Sequence, residues 1–193
     1  MARNKEFDIA DAIMKAIDVF WSKGFEATSI QDLVTALKIN RGSIYDTFGD
    51  KAGLFFTAIN QYENIAPSHR LINNARVGNP KNEIKIFFSG LLAQSQGFQA
   101  NRGCLMTNSI TELANRNSKI KEHLDENLQL IEDSLRILII RGQKTGDINP
   151  WLDPLNLASF LLIFSQGLNV ITKVNKDNDK LLDVMETVLS FLD

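Results

Sequence analysis

The chain has a single cysteine, Cys104, so no intrachain disulfide framework holds it together. Its two histidines, His69 and His123, lie far apart in sequence without companion ligands, which leaves a metal site unsupported. No Ser/His/Asp set, phosphate-binding glycine loop or paired-carboxylate arrangement is credible, so no catalytic residue and no cofactor is assigned. Long apolar runs are missing as well. The longest, 157–164, is interrupted by Ser159 and is far too short to span a bilayer. The N-terminus, MARNKEFDIADAIMKAIDVF, mixes acidic with apolar residues, unlike a secretory signal peptide. These absences imply a cytoplasmic protein with no membrane partner.

Positive charge is also in short supply. With 21 Lys and Arg against 23 Asp and Glu, the net charge is −2 and the pI about 5.7, a balance that argues mildly against a nucleic-acid partner. Residues 1–56 carry seven basic side chains (Arg3, Lys5, Lys15, Lys23, Lys38, Arg41, Lys51) and eight acidic ones (Glu6, Asp8, Asp11, Asp18, Glu26, Asp32, Asp46, Asp50). DNA binding by this segment must therefore rest on placement, with Lys and Arg facing the groove and Asp8, Asp11 and Asp18 turned away.

What the chain does have is helical periodicity. Its 193 residues, 44% hydrophobic and 23% charged, suffice for an ample core in one large domain or two small ones. No strand alternation, repeat or low-complexity tract appears, which predicts an all-α protein of about nine helices. The first covers 7–23 and is closed by Gly24. The fourth, capped by Asp50, runs from 51 toward 70 and links the two halves. Residues 73–81 form the clearest loop. Further helices are predicted over 82–98, 104–114 and 118–145, the last ended by Gly146, then from 151–154 to 173. The ninth is capped within 177–179.

The most informative stretch is 25–56, FEATSIQDLVTALKINRGSIYDTFGDKAGLFF. Ile30, Leu33, Val34 and Leu37 at i, i+3, i+4 and i+7 make one apolar helical face. The next helix, 41–48, is only two turns long. Ile44 and Phe48 face inward, leaving Arg41, Gly42, Ser43, Tyr45, Asp46 and Thr47 free. So short a helix is costly to nucleate and needs support from its neighbour. A supported short helix with small and polar residues outward fits a DNA major groove. Asn40 is placed as its N-cap. Gly42 and Ser43 admit close backbone approach, Arg41 is the candidate for bidentate contact to guanine, and Thr47 can touch a thymine methyl. Asp46 can accept from a cytosine amine or orient Arg41.

This run resembles the N-terminal DNA-binding domain of TetR-type transcriptional regulators. The resemblance is carried by Phe20, Lys23-Gly24-Phe25, Thr28-Ser29-Ile30, Arg41-Gly42-Ser43-Ile44-Tyr45, Phe48, Lys51 and Leu54-Phe55. It implies helical homodimers that repress transcription at a double-stranded operator until a small-molecule effector binds the C-terminal domain. The division it implies is a DNA-binding domain over 1–50 and a ligand-binding and dimerisation domain over 51–193. It also implies phosphate contacts by Thr28, Tyr45 and Lys51. Lys38 departs from the pattern, standing where relatives usually place a glycine with φ > 0.

In the C-terminal half, the apolar 157–164 segment and the ninth helix offer a dimer interface, with Leu161, Gly167, Leu168, Leu181, Met185, Val188 and Leu192 as its candidates. Phe87, Phe88, Leu91, Phe98, Met106, Ile110, Phe160 and Phe164, with Cys104, are the candidate effector lining. The segment around Arg102-Gly103-Cys104-Leu105 resembles a TetR subgroup with a GCL-type motif at the start of the sixth helix, some of whose members sense electrophiles or oxidants through cysteine. A thiol switch at Cys104 is therefore one alternative. A helical small-molecule-binding protein without DNA function is the other.

Overall fold

The computed structural model describes residues 7–96, 101–175 and 177–193, and among them every regular element is helical. Ten helices follow in order: α1 (Ile9–Lys23), α2 (Ile30–Leu37), α3 (Arg41–Phe48), α4 (Lys51–Glu63), α5 (Pro67–Asn74), α6 (Pro80–Gln94), α7 (Leu105–Leu113), α8 (Ser118–Thr145), α9 (Pro154–Ile171) and α10 (Asn178–Ser190). The additional helix comes from the predicted fourth. Ala66 is extended (φ −71°, ψ 151°) and Pro67 occupies the first helical turn of α5. Proline there loses nothing, since that N–H has no intrahelical partner. The residue before it is driven out of the α region. The chain therefore breaks after Glu63 rather than running on toward Arg70.

Two compact units result. One holds the described residues up to Ile65 together with Asn108–Lys121; the other holds Ala66–Thr107 and Glu122–Asp193. The division thus does not fall at residue 50. α4 packs closely on α1, and its Leu54, Phe55, Ala58, Ile59 and Tyr62 are fully buried. α4 lies wholly within the first unit, whereas α7 and α8 each have residues in both.

The first unit is organised around aromatic edges. Phe55 meets Phe20 and Phe25 at 4.9 Å between ring centroids, and Trp21 meets Tyr62 edge-on at 5.1 Å. Such offset contacts between rings are favourable beyond the area they bury. Leu33, Leu37 and Ile44 complete the core, while Ile30 and Val34 are half-buried.

The second unit buries the inner faces of α5, α6, α8, α9 and α10. Leu135, Leu138 and Ile139 of α8 are inaccessible, as are Phe88 of α6 and Leu161 of α9. One ion pair, between the exposed Arg70 and the buried Glu83, ties α5 to α6. Arg70 Nε and Nη2 donate to Glu83 Oε2 and Oε1, each at 2.9 Å, and Asn74 Nδ2 adds a third bond at 3.2 Å. Arg70 holds the Glu83 carboxyl below its ordinary value, with Asn74 assisting against the cost of burial. α9 is the one described helix long and apolar enough, by length and composition, to cross a membrane. Its Ser165 and Asn169 are buried and hydrogen-bonded within the protein's own core.

The outer face of α9 and α10 corrects the interface assignment. Leu161, Leu168, Leu181, Met185, Val188 and Leu192 lie in the protomer's own core. The residues left open are Phe160, Ile163, Val170 and Val174, with Leu182 and Phe191. The reason is that the apolar arc of α10 is wider than the stripe it buries: Leu181, Met185, Val188 and Leu189 face inward, and Leu182 and Val184 at the edges of the arc stay open. Gly167 alone of the seven lies on the open side, where a Cβ would meet nothing within 4 Å.

Candidate DNA-binding face and effector cavity

The reading helix α3 is held at both ends. Asn40 Oδ1 accepts from Ser43 N at 2.8 Å, and Gly49, at φ +82°, closes the helix with its N–H on Tyr45 O at 2.9 Å. Ile44 is its one fully buried side chain. Arg41, Gly42, Tyr45 and Asp46 are exposed, while Ser43, Thr47 and Phe48 are half-buried. Arg41 Nη2 donates to Tyr45 Oη at 3.3 Å, and the guanidinium carbon stands 5.5 Å from the ring centroid. The arginine is thus oriented by Tyr45 rather than by Asp46. Stacking on an aromatic face leaves the remaining guanidinium donors pointing outward.

α2, which supports α3, is equally well defined. Ser29 and Asp32 form a reciprocal capping box, with Asp32 N to Ser29 Oγ at 3.1 Å and Ser29 N to Asp32 Oδ2 at 2.9 Å. Lys23, at the end of α1, donates to Asp32 Oδ1 at 2.6 Å. That bond, then those from Ser29, lower the Asp32 carboxyl from 3.8 to about 2. The turn between α2 and α3 takes the geometry that the departure at Lys38 raised: φ is 57° and ψ 35°, the left-handed region. Lysine accepts that conformation at a cost of roughly 1–2 kcal/mol.

Two expected phosphate contacts are engaged elsewhere. Thr28 is 1% exposed, and its Oγ1 donates to Gly24 O at 2.6 Å. Lys51 is half-buried, and its Nζ donates to Phe25 O at 2.9 Å and Thr28 O at 3.0 Å. The same ammonium sits 4.2 Å from the Phe25 ring centroid. Both side chains fasten the α1–α2 turn. The family resemblance placed them on the DNA side, and neither residue type announces burial.

In the second unit, a narrow cavity of about 30 Å³ lies against α5, α6, α7, α8 and α9. Of the expected lining, Phe87, Leu91, Cys104 and Met106 reach it. Phe88 is fully buried and packs on Phe164, which is itself partly buried against the core. Phe160 is turned outward against Phe191, and Ile110 belongs to the other unit. Phe98 lies outside the described residues. The sequence reading missed the polar part of the wall: Thr107, Asn127, Ser165, Gln166 and Asn169. The signal available was polar residues interrupting the apolar faces of α8 and α9. Thr107 Oγ1 donates to Gln166 Oε1 at 2.8 Å and accepts from Asn169 Nδ2 at 3.1 Å. Asn127 is 7% exposed and lies on the same wall. Among the described residues, no side chain that lines the cavity is charged.

A two-turn helix, capped, propped by a second helix and polar on its outer side, defines a helix-turn-helix DNA-binding protein. Comparison with known proteins narrows the class. Residues 13–58 match the family described as bacterial regulatory proteins, tetR family, and residues 80–188 match the tetracyclin repressor-like C-terminal domain. An uncharacterized HTH-type transcriptional regulator of Bacillus subtilis (strain 168), YezE, is 35% identical over 198 residues, covering 100% of both chains. The HTH-type transcriptional repressor ComR of Escherichia coli (strain K12) is 28% identical, covering 97% of this chain and 90% of its own. Among solved structures, a cysteine-substituted form of the TetR family regulator CifR, complexed with 26-bp double-strand operator DNA, superposes with a TM-score of 0.86. It is 26% identical, with 100% of each chain covered. The chain belongs to the TetR family of transcriptional regulators.

Proposed function

We propose that this protein is a homodimeric, ligand-responsive transcriptional repressor that reads a pseudo-palindromic operator with α3. The observation that carries the reading is the outward guanidinium of Arg41, braced on Tyr45 at the exposed start of a capped helix. Arg41 supplies the bidentate contact to a guanine edge, Gly42 and Ser43 allow close approach, and Thr47 meets a neighbouring base. Tyr45 Oη and backbone N–H groups contact phosphate and fix register. The protein is a cytoplasmic regulator and not an enzyme.

One α3 spans only a few base pairs, so specificity needs a second copy. The exposed stripe Phe160, Ile163, Gly167 and Val170 on α9, continued by Val174 in the turn after it, repeats at alternating three and four residues, with Leu182 of α10 and Phe191 just after that helix also open. Two such faces related by a twofold axis form the four-helix dimer interface.

The effector is a small, uncharged molecule with hydrogen-bonding groups. Supporting this are the uncharged side chains that line the cavity among the described residues, with the amides of Asn127, Gln166 and Asn169 among them. A cavity of about 30 Å³ holds about one water, whereas effector pockets run to roughly 300–1,000 Å³, so binding must part the helices around it. Cys104 lines the same wall, and a thiol-based release would act at the same place.

Selection from random duplexes tests the reading. The protein should enrich an inverted repeat and bind it with a steep salt dependence. Enrichment of no sequence would overturn it. Cys104→Ser, which keeps the side-chain shape, separates reversible binding from thiol chemistry: retained response to the inducing compound removes the thiol alternative.

A further inference from the structure

The α1–α2 turn is the common anchor of the reading domain. Gly24 ends α1, Ser29 begins α2, and Lys51 at the start of α4 binds the carbonyls of Phe25 and Thr28. The inner side of this turn is held by a residue remote in sequence. Glu112 of α7 accepts from Phe25 N through Oε2 at 3.0 Å and from Glu26 N through Oε1 at 2.8 Å. Both oxygens of one carboxylate thus receive successive backbone N–H groups, an arrangement stronger than neutral hydrogen bonds. Gly24 makes room for it. Its φ is +80°, and a Cβ there would lie 2.9 Å from each Glu112 oxygen. Arg116, in the turn that follows α7, stands 3.8 Å from Glu26.

α7 is a single helix, yet its residues serve both units. Met106 and Thr107 line the cavity in one, and Thr107 is bonded there to Gln166 and Asn169. Five residues on, about 7.5 Å along the axis, Glu112 grips the reading domain's turn in the other.

We propose that Glu112 is a positioning residue for DNA reading, the point through which α7 sets the α1–α2 turn and so the placement of α2 and α3. Displacement of the Thr107 end of α7, as an entering effector requires, draws the carboxylate off Phe25 N and Glu26 N and loosens the anchor on which both reader helices hang. The proposal rests on the assignment of α2 and α3 as the DNA reader.

The test is fluorescence-anisotropy titration of the full chain against its selected operator and against a scrambled duplex of equal length. Glu112→Ala should lose roughly ten-fold or more in operator affinity, the weight of a hydrogen bond to a charged group. Its binding to the scrambled duplex should be unchanged, because phosphate contacts remain. Glu112→Gln, of the same shape, retains one acceptor and should fall between Glu112→Ala and the parent. Thr107→Val should alter operator affinity in the parent and have no further effect in the Glu112→Ala background, since coupled residues are non-additive. Unchanged or raised operator affinity in Glu112→Ala would overturn the proposal, as would an equal loss on both duplexes or a Thr107→Val effect that simply adds. A parent protein that prefers no duplex would instead remove the reader assignment, and this proposal with it.

Discussion

Lys51→Met separates the two roles open to that residue, phosphate contact and structural clamp. The substitution keeps the aliphatic stem and removes the ammonium. Lost with it are the bonds to Phe25 O at 2.9 Å and Thr28 O at 3.0 Å, together with the cation over the Phe25 ring at 4.2 Å. A hydrogen bond to a charged group is worth a net of roughly 1.5–3 kcal/mol, and an exposed cation–π contact roughly 0.5–1 kcal/mol. Water entering at this partly open site restores some of the loss to the two carbonyls. A net destabilisation of about 2 kcal/mol follows, which lowers the midpoint of a chain this size by roughly 4–8 °C. Calorimetry measures that, and operator binding at several salt concentrations supplies the second axis. A residue that neutralises one phosphate contributes about 0.9 to the slope of log K against log salt. The clamp therefore predicts a lower midpoint and an unchanged slope. An unchanged midpoint with the slope reduced by about 0.9 would refute it.

Three other perturbations have defined outcomes. Because the folded-state Glu83 carboxyl is depressed below its ordinary value of 4.5, its contribution is complete above pH 4.5 and is lost as pH falls through the folded value. Glu83→Gln should cost about 2 kcal/mol at neutral pH and flatten that part of the acid-unfolding curve; a curve of unaltered shape would contradict the ion pair with Arg70. Ile163→Glu places a charge on the open face of α9, where Ile163 is 71% exposed, and should yield a folded monomer by sedimentation, with a persisting dimer counting against the face assigned. Lys38→Gly should raise stability by roughly 0.5 kcal/mol, the left-handed strain relieved less the added freedom of the unfolded chain, and a lower thermal midpoint would exclude it.

Where local chemistry decides, the sequence was readable. Asn40, Asp50 and Asp177 cap the helices they precede and Gly24 ends α1, as their residue types and positions indicated, while the left-handed turn at Lys38 followed from the family resemblance and against its residue type. The bounds of α8 were readable for the same reason, a regular apolar seam followed by Gly146. α5 was not, because the apolar positions continue across residues 59–71 and Pro67 there opens a helix instead of closing one. The interface face escaped because two apolar stripes on α10 compete, and periodicity says nothing about which one the protomer keeps. The polar cavity wall escaped because Ser165, Gln166 and Asn169 read as interruptions of an apolar helix until Thr107 is seen bonding to two of them. Glu112 lies 86 and 87 residues from the amides it accepts from, a pairing that only the fold brings about.

The central claim is that α3 reads bases through Arg41, and the most direct measurement is a base-by-base preference profile of the parent and of Arg41→Ala on the selected operator. The account predicts that the variant loses roughly 1–3 kcal/mol of discrimination at one base pair in each half-site and keeps its preferences elsewhere. A variant whose profile matches the parent at every position would contradict it.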